Sequence, residues 1–168
     1  MPVFAFPSAD VLVIRRYGQA DAPATLRVFR EAVRRGAAEL YDEAKRAAWA
    51  PAVIDLAVWT RARAQHPSWV AERCGEVIGF VELTDEWLIA MLYVHPEHTR
   101  AGVGGALLDE VERSAREADM ARLRVHASLV AQPLLKRRGF TVVEDRLVER
   151  HGEWLAQAAM EKVLEPVA

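Results

Sequence analysis

The sequence predicts an α/β (α+β) domain in which helices flank a mixed β-sheet, in the order β-α-α-β-β-β-α-β-α-β-β. Three observations carry the prediction. Strand-like runs at Trp69–Arg73, Val77–Leu83 and Trp87–Val94 follow one another with short breaks. An amphipathic helix comes next, with an apolar stripe of Leu107, Leu108, Val111, Ala115 and Ala118. Strand-like and helix-like segments then alternate toward the C-terminus. No repeat or linker divides residues 1–168, which read as one domain with its core over about 11–164.

Val11–Arg16 reads as the first strand. Asp21-Ala22-Pro23 marks a helix start, with Asp21 placed to cap and Pro23 in the first turn. Leu26, Phe29 and Val33 follow at helical spacing, and the helix fades near Gly36. A second helical region, about Asp42 to Arg63, is rich in alanine and interrupted at Pro51. Gly75-Glu76 suits a two-residue hairpin turn between the next two strands. Gly79, inside the second of them, points to a bulge or a close backbone approach. Trp87–Val94 is apolar almost throughout, as expected of a central strand buried on both faces. After the long amphipathic helix come a strand at Leu123–Ala127 and a short helix at Val130–Arg138 that stops at Gly139. Strands at Thr141–Arg150 and about Ala158–Leu164 close the chain. Trp154 and Leu155 then fall in a connecting loop beside an exposed sheet edge, which suggests a homodimer.

Composition narrows the function. Apolar residues make up 52% and charged residues 27% of 168, which excludes a disordered chain. A net charge of -2 lacks the basic footprint of a nucleic-acid binder. The single cysteine, Cys74, cannot form an internal disulfide. Met1–Pro7 lacks the pattern of a signal peptide, and no apolar run spans a membrane. These features predict a cytoplasmic protein without a membrane partner.

The most informative stretch runs from Tyr93 to Leu108, where a strand ends near Pro96 and a glycine-rich turn opens a helix. The first N–H groups of a helix have no internal partners, and the dipole favours anions there. Glycines at 102, 104 and 105 let backbone approach a diphosphate, and Arg100 adds a cation. A plain structural turn uses the same residues. A dinucleotide fold would place the turn in a repeated parallel unit, whereas here it follows strands that look antiparallel. A P-loop would require Gly-Lys-Ser/Thr, and Gly105-Ala106-Leu107 does not supply it.

On these residues the chain resembles the GNAT (GCN5-related N-acetyltransferase) superfamily. The resemblance spans about Val11–Leu164 and is most specific between Leu92 and Phe140. It implies that acetyl-CoA lies in a V between the strands at Trp87–Val94 and Leu123–Ala127, with its pantetheine arm along Leu92, Tyr93 and Val94. The family's (Arg/Gln)-x-x-Gly-x-(Gly/Ala) diphosphate loop falls on Thr99, Arg100, Ala101, Gly102, Val103 and Gly104, continuing into Gly105 and Ala106. Its first position is therefore Thr99 rather than Arg or Gln. A second segment, ending at Gly139-Phe140, implies further cofactor contacts at Ser128, Gln132 and Leu135. Many members carry a tyrosine four residues before that glycine, as general acid toward the departing thiolate. Here the position is Leu135.

The resemblance therefore predicts direct acetyl transfer from acetyl-CoA to a small or peptide amine, without a metal. Loss of the usual acid leaves open a catalytically silent acyl-CoA-binding module. Tyr41 is the leading replacement acid, because a similar Tyr…Trp-Ala segment (here Tyr41 and Trp49) borders the acceptor in a bacterial branch of the family. Tyr93 is its rival, with packing as the alternative role. Glu82 is the candidate base, against the reading of a solvated strand carboxylate. His126 borders the cleft and reads as a core or surface histidine. His95, Glu97 and His98 have poor spacing for a metal. The charges at Asp109, Glu110, Glu112, Arg113, Arg116 and Glu117 read as a solvated helix face.

Overall fold

A computed structural model of the chain describes residues 10–166. The N-terminal reading at Met1–Pro7 lies outside them. A short first strand, β1 (Val13–Arg16), leads through a 3-10 turn into α1 (Ala22–Glu31). Asp21 does not cap α1 with its side chain. Its carboxylate takes Arg15 through two N–H···O bonds of 2.8 and 2.9 Å and accepts the Gly18 N–H at 2.8 Å. A charge-assisted bidentate pair outcompetes a single neutral cap bond. That pairing holds the Asp21 carboxyl below the usual carboxylate range.

The second helical region is two helices, α2 (Glu43–Trp49) and α3 (Leu56–Ala64), separated around Pro51. Each begins on an aspartate: Asp42 accepts the Lys45 N–H at 2.9 Å and Asp55 the Val58 N–H at 3.0 Å. Strands β2 (Ser68–Arg73) and β3 (Glu76–Leu83) then form a hairpin. Its turn is Cys74-Gly75, one residue earlier than the sequence suggests, because Arg73 pairs with Glu76. Both turn residues have positive φ, 53° and 76°, which matches the twist of the flanking strands. At Gly79 a Cβ would sit 3.0 Å from Val103 Cγ1 and 3.1 Å from the Tyr93 carbonyl oxygen. The residue is small because a helix crosses the sheet there.

That helix, α4 (Val103–Glu117), follows β4 (Leu88–Val94). Then come β5 (Arg122–Ser128), α5 (Gln132–Arg137), β6 (Thr141–Arg150) and β7 (Glu153–Val163). The seven strands run in the order β1-β2-β3-β4-β5-β7-β6. All neighbours are antiparallel except β4 and β5. Leu107, Leu108 and Val111 of α4 bury one face together with Leu135 and Met160. Phe29, Trp59 and Phe80 fill the opposite face beneath α1 and α3.

Three further expectations change. Trp154 and Leu155 lie inside β7 rather than in a loop, since the chain reverses at His151-Gly152, where φ is 46° and 85°. Glu112 is buried, with its carboxylate accepting Lys162 at 2.6 Å and Arg116 at 3.1 Å. β4 is not covered on both faces: Ile89 is buried, while Met91 to Val94 are half-exposed.

Glu82 is 4% exposed and forms an ion pair with Arg63, whose guanidinium carbon lies 4.3 Å from the Trp59 ring centroid. The pair ties α3 to β3 through a dry contact. Glu82→Ala would strand a buried guanidinium and is expected to cost about 3–5 kcal/mol, read from the denaturant midpoint. A loss below about 1 kcal/mol would show instead that the pair is solvated.

Candidate active site

β4 and β5 pair at only two positions, Leu88↔Arg124 and Ile89↔Val125, and then diverge. On the other side of β4 the ladder with β3 continues as far as Gly79↔Val94. The His95 N–H donates to the Ile78 carbonyl at 2.8 Å, so His95 and Tyr93 turn their backbone groups toward β3. By alternation, the N–H and C=O groups of Leu92 and Val94 face the gap without a strand partner. An extended ligand chain can pair there.

Two cavities open from this gap. The larger, about 660 Å³, runs from β4 over the loop before α4 to the start of α5. Gly102 caps α4 in the left-handed region, with φ 80°. The first helical backbone bond is Ala106 N–H to the Gly102 carbonyl at 3.0 Å, leaving the Val103, Gly104 and Gly105 N–H groups without helical partners. Thr99 and Arg100 line the rim on one side, with Arg137 and Arg138 on the other, and no carboxylate lines this cavity. Such a lining suits a phosphorylated ligand. Gly104 and Gly105 have a packing role as well. A Cβ at 104 would lie 2.7 Å from Leu134 Cδ2, and one at 105 would strike the Arg138 guanidinium.

The smaller cavity, about 410 Å³, lies between β4, β5 and the β6–β7 hairpin. Tyr41, Met91, His126, Arg146 and Arg150 are among its walls. Trp49, Leu92, Tyr93, Ser128 and Ala131 line both cavities and mark their junction. There the Tyr93 hydroxyl accepts the Trp49 Nε1–H at 3.1 Å, and its own hydrogen has no acceptor among the described residues. Burial pushes the Tyr93 phenol up to about 12, so it stays protonated at neutral pH.

The sequence-predicted residues separate on inspection. Leu92, Tyr93, Val94, Thr99, Arg100, Gly102, Val103, Gly104, Gly105 and Ser128 all line the larger cavity. Ala101 and Ala106 belong to the same turn but line neither space. Gln132 also lines neither, and its Nε2 donates to the Ala127 carbonyl at 3.4 Å. Leu135 is fully buried and floors the smaller cavity. Tyr41 borders that cavity, but its hydroxyl donates to the Ala156 carbonyl at 2.5 Å and accepts the Leu129 N–H at 2.9 Å. Its proton is committed to tying β7 to the end of β5. Glu82 lines neither cavity, because Arg63 holds it beneath α3.

Sequence reasoning gave no site role to Arg137, Arg138, Arg146 or Arg150. For the last two the signal was strand alternation in Asp145-Arg146-Leu147-Val148-Glu149-Arg150. His126, read as a core or surface residue, lines the smaller cavity with one Arg146 Nη 2.6 Å from Nε2 and 3.1 Å from Nδ1. Burial, and then the charge of Arg146, lowers the pKa of His126 from its ordinary 6.5.

Comparison with known proteins agrees with this geometry. Residues 35–164 match the family described as Acetyltransferase (GNAT) domain. The chain is 35% identical over 147 residues to YafP of Escherichia coli (strain K12), an uncharacterized N-acetyltransferase, covering 88% of this chain and 93% of that one. A crystal structure from Rhodopseudomonas palustris, titled as the GCN5-related N-acetyltransferase "Aminotransferase, Class-II", superposes with a TM-score of 0.88 at 31% identity, covering 95% of this chain and all (100%) of that one. PaiA N-acetyltransferase from Thermoplasma acidophilum, solved in complex with coenzyme A, has the same fold at a TM-score of 0.72 and 23% identity, over 91% of this chain and 99% of that one. With its splayed β4–β5 pair and the helix start that closes it, this chain belongs to the GNAT acetyltransferase family.

Proposed function

We propose that this acetyltransferase holds acetyl-CoA in the larger cavity and passes the acetyl group directly to an amine seated in the smaller one. The observation that carries the reading is the junction: both cavities open onto Leu92, Tyr93 and Ser128, where β4 has unpaired backbone groups. The diphosphate fits the Val103–Gly105 N–H groups, supplemented by Arg100. Coenzyme A bound to the Thermoplasma acidophilum protein, and the motif at Thr99–Gly104, support the same reading. The Leu92 and Val94 N–H groups are donors for the pantetheine arm and for the thioester carbonyl. Acetyl-CoA supplies the activated acetyl group; the chain positions it and supplies a proton to the leaving thiolate.

Tyr93 suits the acid better than Tyr41 does. It stands at the junction with a free hydroxyl hydrogen, which can reach a departing sulfur. No carboxylate lines the acceptor cavity, and the His126 ring is already approached by Arg146. Deprotonation of the amine therefore falls to water in the open cavity. An alkyl ammonium with pKa near ~10.4 presents about one neutral molecule in a few thousand at pH 7, so amines of lower pKa react faster. Positioning, worth up to ~7–11 kcal/mol, carries most of the rate.

The lone exposed Cys74 fits a reducing compartment, and we place the protein in the cytoplasm. We also propose a homodimer. Support comes from β6, an edge strand of 10 residues that leaves Val143 exposed at one end and Leu147 exposed beside Trp154 of β7. Light scattering at micromolar concentration should give the dimer mass, and Leu147→Lys the monomer mass. A monomeric parent protein would contradict the proposal.

Gly104→Ala should push Leu134 toward the cofactor cavity and lower acetyl-CoA affinity by about tenfold or more by calorimetry, with a melting shift of only a few degrees. A folded variant of unchanged affinity would overturn the cofactor assignment. Tyr93→Phe should reduce kcat by ~10²–10⁴-fold while sparing acetyl-CoA affinity. Tyr41→Phe should leave kcat within several-fold but cost about 1–3 kcal/mol of stability, since Leu129 N–H and Ala156 C=O lose their partner. The reverse pattern would return the acid role to Tyr41. With the Tyr93 phenol near 12, the parent kcat should show no alkaline fall below about pH 11 from this group.

A further inference from the structure

We propose that the amine acceptor carries an anionic group, a carboxylate or a phosphate, received by Arg146 and Arg150 of β6. The proposal rests on the acetyltransferase reading above and specifies its substrate class. Arg146, Val148 and Arg150 share one strand face and all line the acceptor cavity. Asp145 and Glu149 alternate with them on the opposite face and are absent from the cavity lining. β6 thus turns Arg146 and Arg150 toward the cavity and Asp145 and Glu149 away, while Glu144, on the arginines' face, lies outside the cavity lining.

Neither guanidinium is neutralised. Among the described residues no carboxylate lies within ion-pair distance of Arg146 or Arg150, and of the arginines without an ion pair these are the two that line the acceptor cavity. No Asp or Glu is among the described residues that line the cavity. Among the described residues Arg146 approaches only the ring of His126, whose pKa is lowered first by burial and then by the charges of Arg146 and Arg124. Four residues along a strand separate the two Cα positions by roughly 13 Å, a span that two arginine side chains can close over Val148. Arg146 is half-buried and Arg150 exposed at the cavity edge, and a guanidinium facing a cavity without a counter-ion matches a planar carboxylate, or a phosphate, through paired N–H···O bonds. An acceptor bearing only positive charge would meet repulsion here.

Three primary amines, with rates compared per neutral amine because the anionic groups raise the ammonium pKa, separate the possibilities: β-alanine, phosphoethanolamine and β-alaninamide. Steady-state acetylation by the intact protein should favour at least one anionic probe over β-alaninamide by about tenfold or more in kcat/KM. The better of the two anionic probes identifies the carboxylate or the phosphate. Arg146→Gln should raise KM for the anionic probe with kcat nearly unchanged, and Arg146→Glu should turn the preference toward β-alaninamide. Acetyl-CoA affinity should not move in either variant. Equal use of all three probes, or a preference that survives Arg146→Glu, would overturn the proposal. Should none be acetylated, calorimetry on the coenzyme A-loaded protein decides: binding of an anionic probe that is lost in Arg146→Gln supports the proposal, and no binding overturns it. A protein that binds no acetyl-CoA would instead overturn the reading on which the proposal rests.

Discussion

Parallel strands β4 and β5 keep register through Ile89↔Val125 and then part, and the rest of the site depends on that separation. Had the ladder continued, Leu92 and Val94 would spend their backbone groups on β5, and the two cavities would close. Instead those groups face a cleft that water or an extended ligand must satisfy, because leaving them dry costs several kcal/mol. The loop after β4 is short, so α4 starts at the mouth of the same cleft. Gly79 permits this placement, since any side chain there would meet Val103 and the Tyr93 carbonyl. Strand divergence and helix placement together put unpaired N–H groups along one continuous path from Leu92 to Gly105.

The aromatic cluster behind β4 holds the phenol that the proposed mechanism uses at the junction. Phe29 meets Tyr93 edge-on at 5.0 Å, and Phe80 flanks the same ring at 5.7 Å, which fixes its position. Trp49 then orients the hydroxyl by donating to it. With the family's usual tyrosine position occupied by fully buried Leu135, the phenol reaches the junction from the strand instead of the helix. Tyr41 contributes by holding β7 against the end of β5, so that the wall bearing Arg146 keeps its distance from the junction.

Local signals were readable in the sequence. The helix at Val103, the stop at Gly139 and the strand at Thr141–Arg150 all appear where periodicity and glycine place them. Most of the larger cavity's lining was legible too, because glycines and a helix start are short-range features. What escaped depends on partners distant in the chain. Glu82 looks like a free strand carboxylate until α3 delivers Arg63, and Glu112 like a surface charge until β7 delivers Lys162. β4 reads as a fully buried strand because its apolar residues serve a cleft rather than a packed layer. Leu155 looked like part of a loop because the start of β7 is set by its register with β6, not by its own composition.

Amide chemical shifts on titration with coenzyme A test the central claim most directly, since they report where the ligand lies residue by residue. The account predicts that the Leu92, Val94, Val103, Gly104 and Gly105 amides shift together at one affinity, while amides of β1 and α3 stay in place. Saturable binding that leaves these five amides unmoved would contradict it.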